Sequence, residues 1–412
     1  MKINTDFILR VVNRINLFRP LKGGKGISLL ILQGGRAFCR FSFRTKADPS
    51  PLLDMTSLGK GRSNLMRKAI TVLSCSVGVV LSAALIAGTS SHTAAPGPGP
   101  SGYSLVKTIP VGGDGFWDYL TADSEARRLY ISHGTRVQVM DTDTYAIVGE
   151  IPDTEGVHGI AVAPELNRGF TSNGRANTVT IFDLKTLKTI GTVKAGTNPD
   201  AIVYDGVTKR VFTMNGRSHD ATAIRAADGT VAGTLALGGK PEFAVADGKG
   251  NIYANIEDKS ELVQFDAQKL TVLNRWPLRP CQEPSGLAID LKNRRLFAGC
   301  DNKMMAVVDA DTGKVIATPP IGEGVDANAF DPGTNYAFAS NGEGTLTVVH
   351  EDSPDKFTVV ENVPTKKSAR TMALDLKTHN VLLSAADLGP PAPGERWPSV
   401  KPGSFVILVA GR

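Results

Sequence analysis

Several functional signatures are missing from this 412-residue chain. No Cys-x-x-Cys-His run is present for covalent haem, no Gly-x-x-x-x-Gly-Lys-Ser/Thr loop for phosphate, and no Gly-x-Ser-x-Gly elbow for a serine nucleophile. Aromatic residues are scarce at 6%, and only four cysteines occur, at positions 39, 75, 281 and 300. Haem attachment, P-loop nucleotide chemistry and the serine-hydrolase elbow therefore have no support. Redox work with a quinone or a partner domain ranks last among the function classes for the same reason. Glycine, by contrast, is abundant at 43 residues. Many glycines with few aromatics suit short strands joined by tight turns.

The formal charge of +6 is unevenly placed. Residues 1–68 hold 14 Lys/Arg and 3 Asp/Glu, which leaves 32 basic and 37 acidic residues in the remainder. The basic excess is N-terminal, so no nucleic-acid partner is expected of the rest of the chain.

From Met66 the chain reads MRKAITVLSCSVGVVLSAALIAGTSSHTAAPG. A short basic start, an apolar run and small residues leading into a Pro/Gly linker have the layout of a secretory signal peptide. The expected organisation is an upstream extension over 1–65 that is non-native or disordered, a signal peptide over 66–95, a linker over 96–103 and a folded domain over 104–412. Two alternatives stay open. Residues 1–65 are Arg-rich enough for a transit peptide, and the apolar run is long enough to be kept as a membrane anchor. Export to the periplasm or outside the cell is the expectation, with no stable membrane insertion once the signal is removed and a monomeric product.

The strongest signal is internal repetition. The segments LTADSEARRLY, AVAPELNRGF, IVYDGVTKRVF, AVADGKGNIYA, AIDLKNRRLF, AFDPGTNYAF and ALDLKTHNVLL share one plan. An apolar run meets a turn, and a second apolar run follows. The turn anchors are Asp123, Ala163, Asp205, Asp247, Asp290, Asp331 and Asp375, spaced 40, 42, 42, 43, 41 and 44 residues apart. Asp suits a turn because its carboxylate accepts a bond from a backbone N–H two residues on. Third runs ending at Asp141, Asp183, Asp266 and Asp309, each followed by a turn and a fourth run, complete four strands per repeat. Blade three, with ATAIRAADG, lacks the clean third strand, and its register is open by about two residues. The fold class is all-β, a seven-bladed β-propeller of four-stranded antiparallel blades. The last repeat supplies only three strands, and Ser104–Val111 is available as the fourth. Its addition closes the ring and removes an exposed edge.

RGFTSNGRANTVTIFD (168–183), NYAFASNGEGTLTVV (335–349) and RRLYISHGTRVQVMD (127–141) carry a further resemblance. They resemble the YVTN-type β-propeller repeat, and the Pro-rich insertion closing with PGSFVILVAGR is similar to the YncE-like exported bacterial subgroup. The resemblance spans residues 104–410. It implies an exported seven-bladed propeller and says little about biochemical role.

Counting five residues back from each anchor reaches the start of each innermost strand: Asp118, His158, Asp200, Glu242, Ser285, Asp326 and Arg370. These positions are expected to ring the mouth of the central channel and to form the ligand-binding site, with Asp200, Glu242 and Asp326 as candidate ligands of a divalent cation. His133, Asn173, Asn215, Asp301 and Asn341 end second strands on the same face, where the Asn-Gly pairs read as turns tolerating positive φ. Trp117 and Tyr119 flank the mouth and are expected to pack between blades. The insertion 387–403, with Arg396 and Trp397, reaches the same face as a lid or a passive loop. Cys281 and Cys300 bracket the first two strands of blade five, where antiparallel pairing in an oxidising compartment brings them together as a disulfide. The expected function is a periplasmic or envelope binding or scaffold module for an unknown small molecule or protein, rather than an enzyme. The alternative is a metal-assisted hydrolase or lyase using the acidic channel, with His158 or Glu242 as base.

Overall fold

The computed structural model describes residues 28–33, 36–42, 100–391 and 398–412. The chain divides into two units, residues 1–93 and 94–412. In the first, Ser28–Gln33 and Arg36–Ser42 pair as an antiparallel hairpin. The expected signal segment 66–95 lies outside the described residues, as do Arg396 and Trp397. Among the described residues no helix is long and apolar enough to cross a membrane.

The second unit is a seven-bladed β-propeller, each blade a four-stranded antiparallel sheet. Blade one runs through Trp117–Asp123, Arg128–His133, Arg136–Asp141 and Ile147–Ile151, and the others repeat this order outward from the axis. Burial explains the sequence of each strand. Second strands such as RGFTSN, RVFTMN and YAFASN are almost wholly buried, because blades cover both of their faces. Fourth strands such as TIGTVK and VAGTLA alternate between exposed and half-buried residues at the rim.

An aromatic residue sits in the third place of six second strands: Tyr130, Phe170, Phe212, Tyr253, Phe297 and Phe338, each fully buried. Phe212 meets Phe265 at 5.6 Å and Phe297 stacks on Phe330 of the next blade at 5.2 Å. Each such ring contributes roughly 1.5–3 kcal/mol through burial alone. Among the described blades these aromatics are thus concentrated in the interior.

The turn anchors behave largely as their sequence suggests. Asp247, Asp290, Asp331 and Asp375 accept from the amides of Lys249, Lys292, Gly333 and Lys377, two residues on. Asp123 and Asp205 accept instead from Ala126 and Thr208, three residues on. Blade two, with Ala163 at the anchor, makes its turn through a short 3-10 helix over Pro164–Leu166. In blade three the third strand is Asp220–Arg225, and the turn carboxylate moves along to Asp228, which accepts from the Thr230 amide and hydroxyl.

The ring closes through its ends. Ser104–Pro110 pairs antiparallel with Val406–Gly411, from Ser104 opposite Gly411 to Pro110 opposite Val406. The seventh blade thus takes its outermost strand from the beginning of the domain. Between its second and third strands the insertion forms a small ladder, Leu388–Pro391 against Pro398–Val400.

Candidate functional site

The mouth ring is shaped by a recurring bulge. In blades one to five the pairing of first and second strands skips two residues, as between Trp117 and Leu120, Val157 and Ile160, or Pro199 and Ile202. The skipped pairs begin with Asp118, His158, Asp200, Glu242 and Ser285. A bulge turns side chains out of the regular alternation and re-aims them. Hydroxyls fill the gaps it leaves. The amides of Asp118 and Gly159 donate to Ser132 Oγ and Ser172 Oγ, both at 2.9 Å. Neighbouring blades are tied together at the same level: Thr371 Oγ1 donates to the Asp118 carbonyl at 2.7 Å, Ser340 Oγ to that of Arg370 at 2.5 Å, and Asn255 Nδ2 to that of Ser285 at 2.9 Å.

On this frame the ring residues meet one another. His158 Nδ1 lies 2.6 Å from Asp118 Oδ2 and 3.6 Å from Asp200 Oδ1. Arg370 lies 3.5 Å from Asp118 and forms an ion pair with Asp326, which also accepts from Ser285 Oγ at 2.7 Å. Glu242 Oε1 is 2.6 Å from Lys240 Nζ, and Lys240 also reaches Glu257. One oxygen or nitrogen from each of Asp118, His158 and Asp200 lies within 4.8 Å of the others. Of the three carboxylates singled out as candidate metal ligands, Asp200 belongs to this group. Glu242 faces Lys240, and Asp326 faces Arg370.

The electrostatics follow from burial and neighbours. Burial pulls the His158 imidazole down, but the Asp118 hydrogen bond and the charge of Asp200 outweigh it and lift His158 to about 9. Burial and the nearby Asp118 raise Asp200 to about 6, against the pull of His158. Burial and Asp200 raise Glu242 to about 8, with Lys240 opposing. Asp118 is held low: burial works against it, and the His158 hydrogen bond and Arg370 prevail. At neutral pH the ring therefore alternates cations (His158, Lys240, Arg370) with carboxyls of unequal proton affinity.

Two contributors escape the counting. Lys240, two residues ahead of Glu242, is legible only as a charge beside a ring position. Gly174 is the other: a Cβ there would lie 2.5 Å from His158 Nε2, so the imidazole fits only against a glycine. This corrects the reading of the Asn-Gly pairs as left-handed turns. Neither residue of the pairs 173–174, 215–216 and 341–342 has positive φ, whereas Asn177, His219 and Gly344 further along do. Asn173, Asn215 and Asn341 are buried and donate to the Oγ1 of Thr180, Thr222 and Thr347 on third strands. His133 is likewise buried, with Nδ1 2.8 Å from Gln138 Oε1 and its ring against Phe405. Asp301 is exposed.

Trp117 packs on Phe405 of blade seven, with ring centroids 5.4 Å apart, as expected of a residue between blades. Tyr119 does something else. Its ring crosses the channel to Phe243 of blade four, at 5.1 Å and 82°. The matching positions of four other blades are Gly159, Ala201, Gly286 and Ala327, which leave the space these two rings fill. The insertion adjoins this face: Lys366, just ahead of blade seven's first strand, pairs with Asp387 at 2.9 Å. Cys281 and Cys300 are disulfide-bonded, with Cα atoms 5.5 Å apart.

No protein-family model and no curated protein matches the chain. Solved structures do. The WD40 repeats of RRP9 align with a TM-score of 0.63 at 9% identity, over 76% of this chain and 99% of that one. The structure of U3-55K aligns with a TM-score of 0.61 at 10% identity, over 76% and 99%. Hydrazine synthase from Kuenenia stuttgartiensis aligns with a TM-score of 0.56 at 14% identity, over 72% and 95%. At such identities the likeness is one of fold. The chain is a seven-bladed propeller with WD40-like structural neighbours.

Proposed function

We propose that this chain is an exported binding propeller of the YVTN type, similar to the YncE-like subgroup, whose small polar ligand seats at the channel mouth. The observation that carries the reading is the convergence of Asp118, His158 and Asp200 within 4.8 Å of one another, flanked by Arg370 and Glu242. Carboxyls with raised proton affinity beside a protonated imidazole offer donors and acceptors of both charges, which is the chemistry of a recognition site. Export is supported by the disulfide, which needs an oxidising compartment, and by the signal-like run from Met66.

A second reading has one observation in its favour. A histidine and two carboxylates are also a donor set for a divalent cation, provided the imidazole sheds its proton. Such an ion would polarise a carbonyl or activate water for a hydrolase or lyase. Calorimetric titration of Ca²⁺, Mg²⁺, Zn²⁺ and Mn²⁺ into wild type and Asp118→Asn/Asp200→Asn separates the two. Binding lost in the double variant favours the metal reading. Absence of metal binding, with retention of a co-purified organic molecule that the double variant loses, favours the recognition site. Loss of neither would overturn a functional mouth.

A further inference from the structure

The face opposite the mouth has its own recurring pattern, and blade six departs from it twice. At the end of the third strand a backbone amide donates to the carbonyl of the left-handed residue ahead of the second strand: Ala267 to Gly250 in blade four, Ala310 to Arg294 in blade five, Glu351 to Asn335 in blade six. The donor's place is a fully buried alanine in blades three to five (Ala226, Ala267 and Ala310), whereas blade six puts a glutamate there, only 5% exposed. The left-handed residue has a second task in other blades, which is to place a cation on the turn anchor of the blade before. Arg127 lies 2.8 Å from Asp375, Arg294 3.2 Å from Asp247 and His379 2.8 Å from Asp331. In blade six that residue is Asn335, so the buried anchor Asp290 has no ion pair among the described residues and accepts from the amides of Lys292 and Asn293 in its own turn. Asn293 brings the two carboxylates to one place: its backbone amide donates to Asp290 Oδ2 at 3.0 Å and its side-chain amide to Glu351 Oε1 at 2.8 Å. Glu351 Oε2 is buried and has no hydrogen-bond partner among the described residues.

We infer that the junction of blades five and six, on the face opposite the mouth, binds a divalent cation of the calcium class through Asp290 and Glu351, with the Asn335 side-chain oxygen and water completing its shell. Where other junctions take their cation from the chain, this one takes it from solution. Two buried carboxyls facing one another are costly, and an ion between them removes the repulsion and gives Glu351 Oε2 its partner. The strain is visible in Glu351 itself: burial pushes its carboxyl up, the Asn293 bond opposes, and the charge of Asp290 pushes it further. The nearby cations are already committed, Arg295 to Asp309 and Asp355, and His350 to Asp352. Every donor offered is an oxygen, which suits Ca²⁺ and its adaptable coordination rather than Zn²⁺, which takes nitrogen and sulfur. This site does not rest on the reading of the mouth: it uses other residues on the other face.

The test is calorimetric titration of Ca²⁺ into the folded full chain after treatment with a chelator. Wild type is expected to bind Ca²⁺ with a Kd of about 1 mM or tighter, as extracellular modules do. Glu351→Ala, which installs the alanine of blades three to five, should weaken this binding at least about tenfold, a loss common even for outer-shell partners of a metal. Asn335→Arg, which supplies the cation that Arg127 and Arg294 supply elsewhere, should do the same. Asp118→Asn/Asp200→Asn, at the mouth, should keep the site. Ca²⁺ should also raise the melting temperature of that mouth variant, and no longer do so once Glu351→Ala is added. Circular dichroism checks each fold, and Glu351→Gln keeps the shape of the side chain should Glu351→Ala fail to fold. Absence of Ca²⁺ binding to wild type would overturn the site and leave the two carboxyls to share a proton. So would binding that the mouth variant loses while Glu351→Ala and Asn335→Arg keep it.

Discussion

The ring of Tyr119 meets the ring of Phe243 edge to face at 5.1 Å, although the two residues belong to blades one and four. Such a contact spans the axis rather than a blade interface. It joins side chains from two strands across the axis, while glycine and alanine stand at the matching positions of four other blades.

Tyr119→Ala is therefore expected to cost about 3 kcal/mol, in the range of large-to-small changes at buried rings. Denaturant unfolding measures the effect.

Stability should depend on pH through the mouth carboxyls. Asp200 and Glu242 are held at about 6 and about 8, above the ordinary carboxyl range. The folded chain then binds more protons than the unfolded one, so stability is fully present at low pH and is lost as pH rises through those values. Asp200→Asn/Glu242→Gln should melt with wild type near pH 4 and above it at pH 8, by on the order of 2 kcal/mol. Thermal melts at the two pH values decide it, and a double variant less stable than wild type at pH 8 would contradict the sign.

His158 titrates in the same region. Its lift to about 9 rests on the Asp118 hydrogen bond and on Asp200, so its contribution is present below about 6.5 and is lost as pH rises through 9. The imidazole C2 proton should titrate near 9 in wild type and well lower in Asp118→Asn. Gly174→Ala should have the same consequence by displacing the ring, since its backbone is free of positive φ and takes alanine without strain.

Reduction of the Cys281–Cys300 bond should lower stability by about 3 kcal/mol in the chain-entropy view of a loop of this length. Unfolding with and without a phosphine reductant measures it. Four thiols titrating in the unreduced, denatured full chain, or two in a chain that begins after Cys75, would show that the bond does not form.

Most of the architecture was legible because it is repeated. Six of the seven turn anchors are Asp, so the strand starts are countable, and the ring at the mouth is a list of residues five places before each anchor. The missing strand was legible because the count came out one short. What a single repeat does not carry is harder to read. His158 and Asp118 lie forty residues apart, and their contact depends on two bulges side by side. The Tyr119–Phe243 contact depends on the ring's diameter, which no blade encodes alone. Asn173 was misread because Asn-Gly is a good turn in isolation. Here the Thr180 hydroxyl two strands' width from the axis captures the amide, and the left-handed residue shifts to Asn177.

The pairing of Ser104–Pro110 with Val406–Gly411 also bears on the order of events as the chain is made. The first strand of the domain to leave the ribosome is the one that must wait longest for its partner, because some three hundred residues separate them. Until then Leu105 and Val106, exposed even in the finished ring, belong to a segment without a sheet. Until Val406–Gly411 is in place, a chain whose other strands have paired still carries Ser104–Pro110 loose at its start. Its chance of exchanging that strand with a second copy is greatest at that stage.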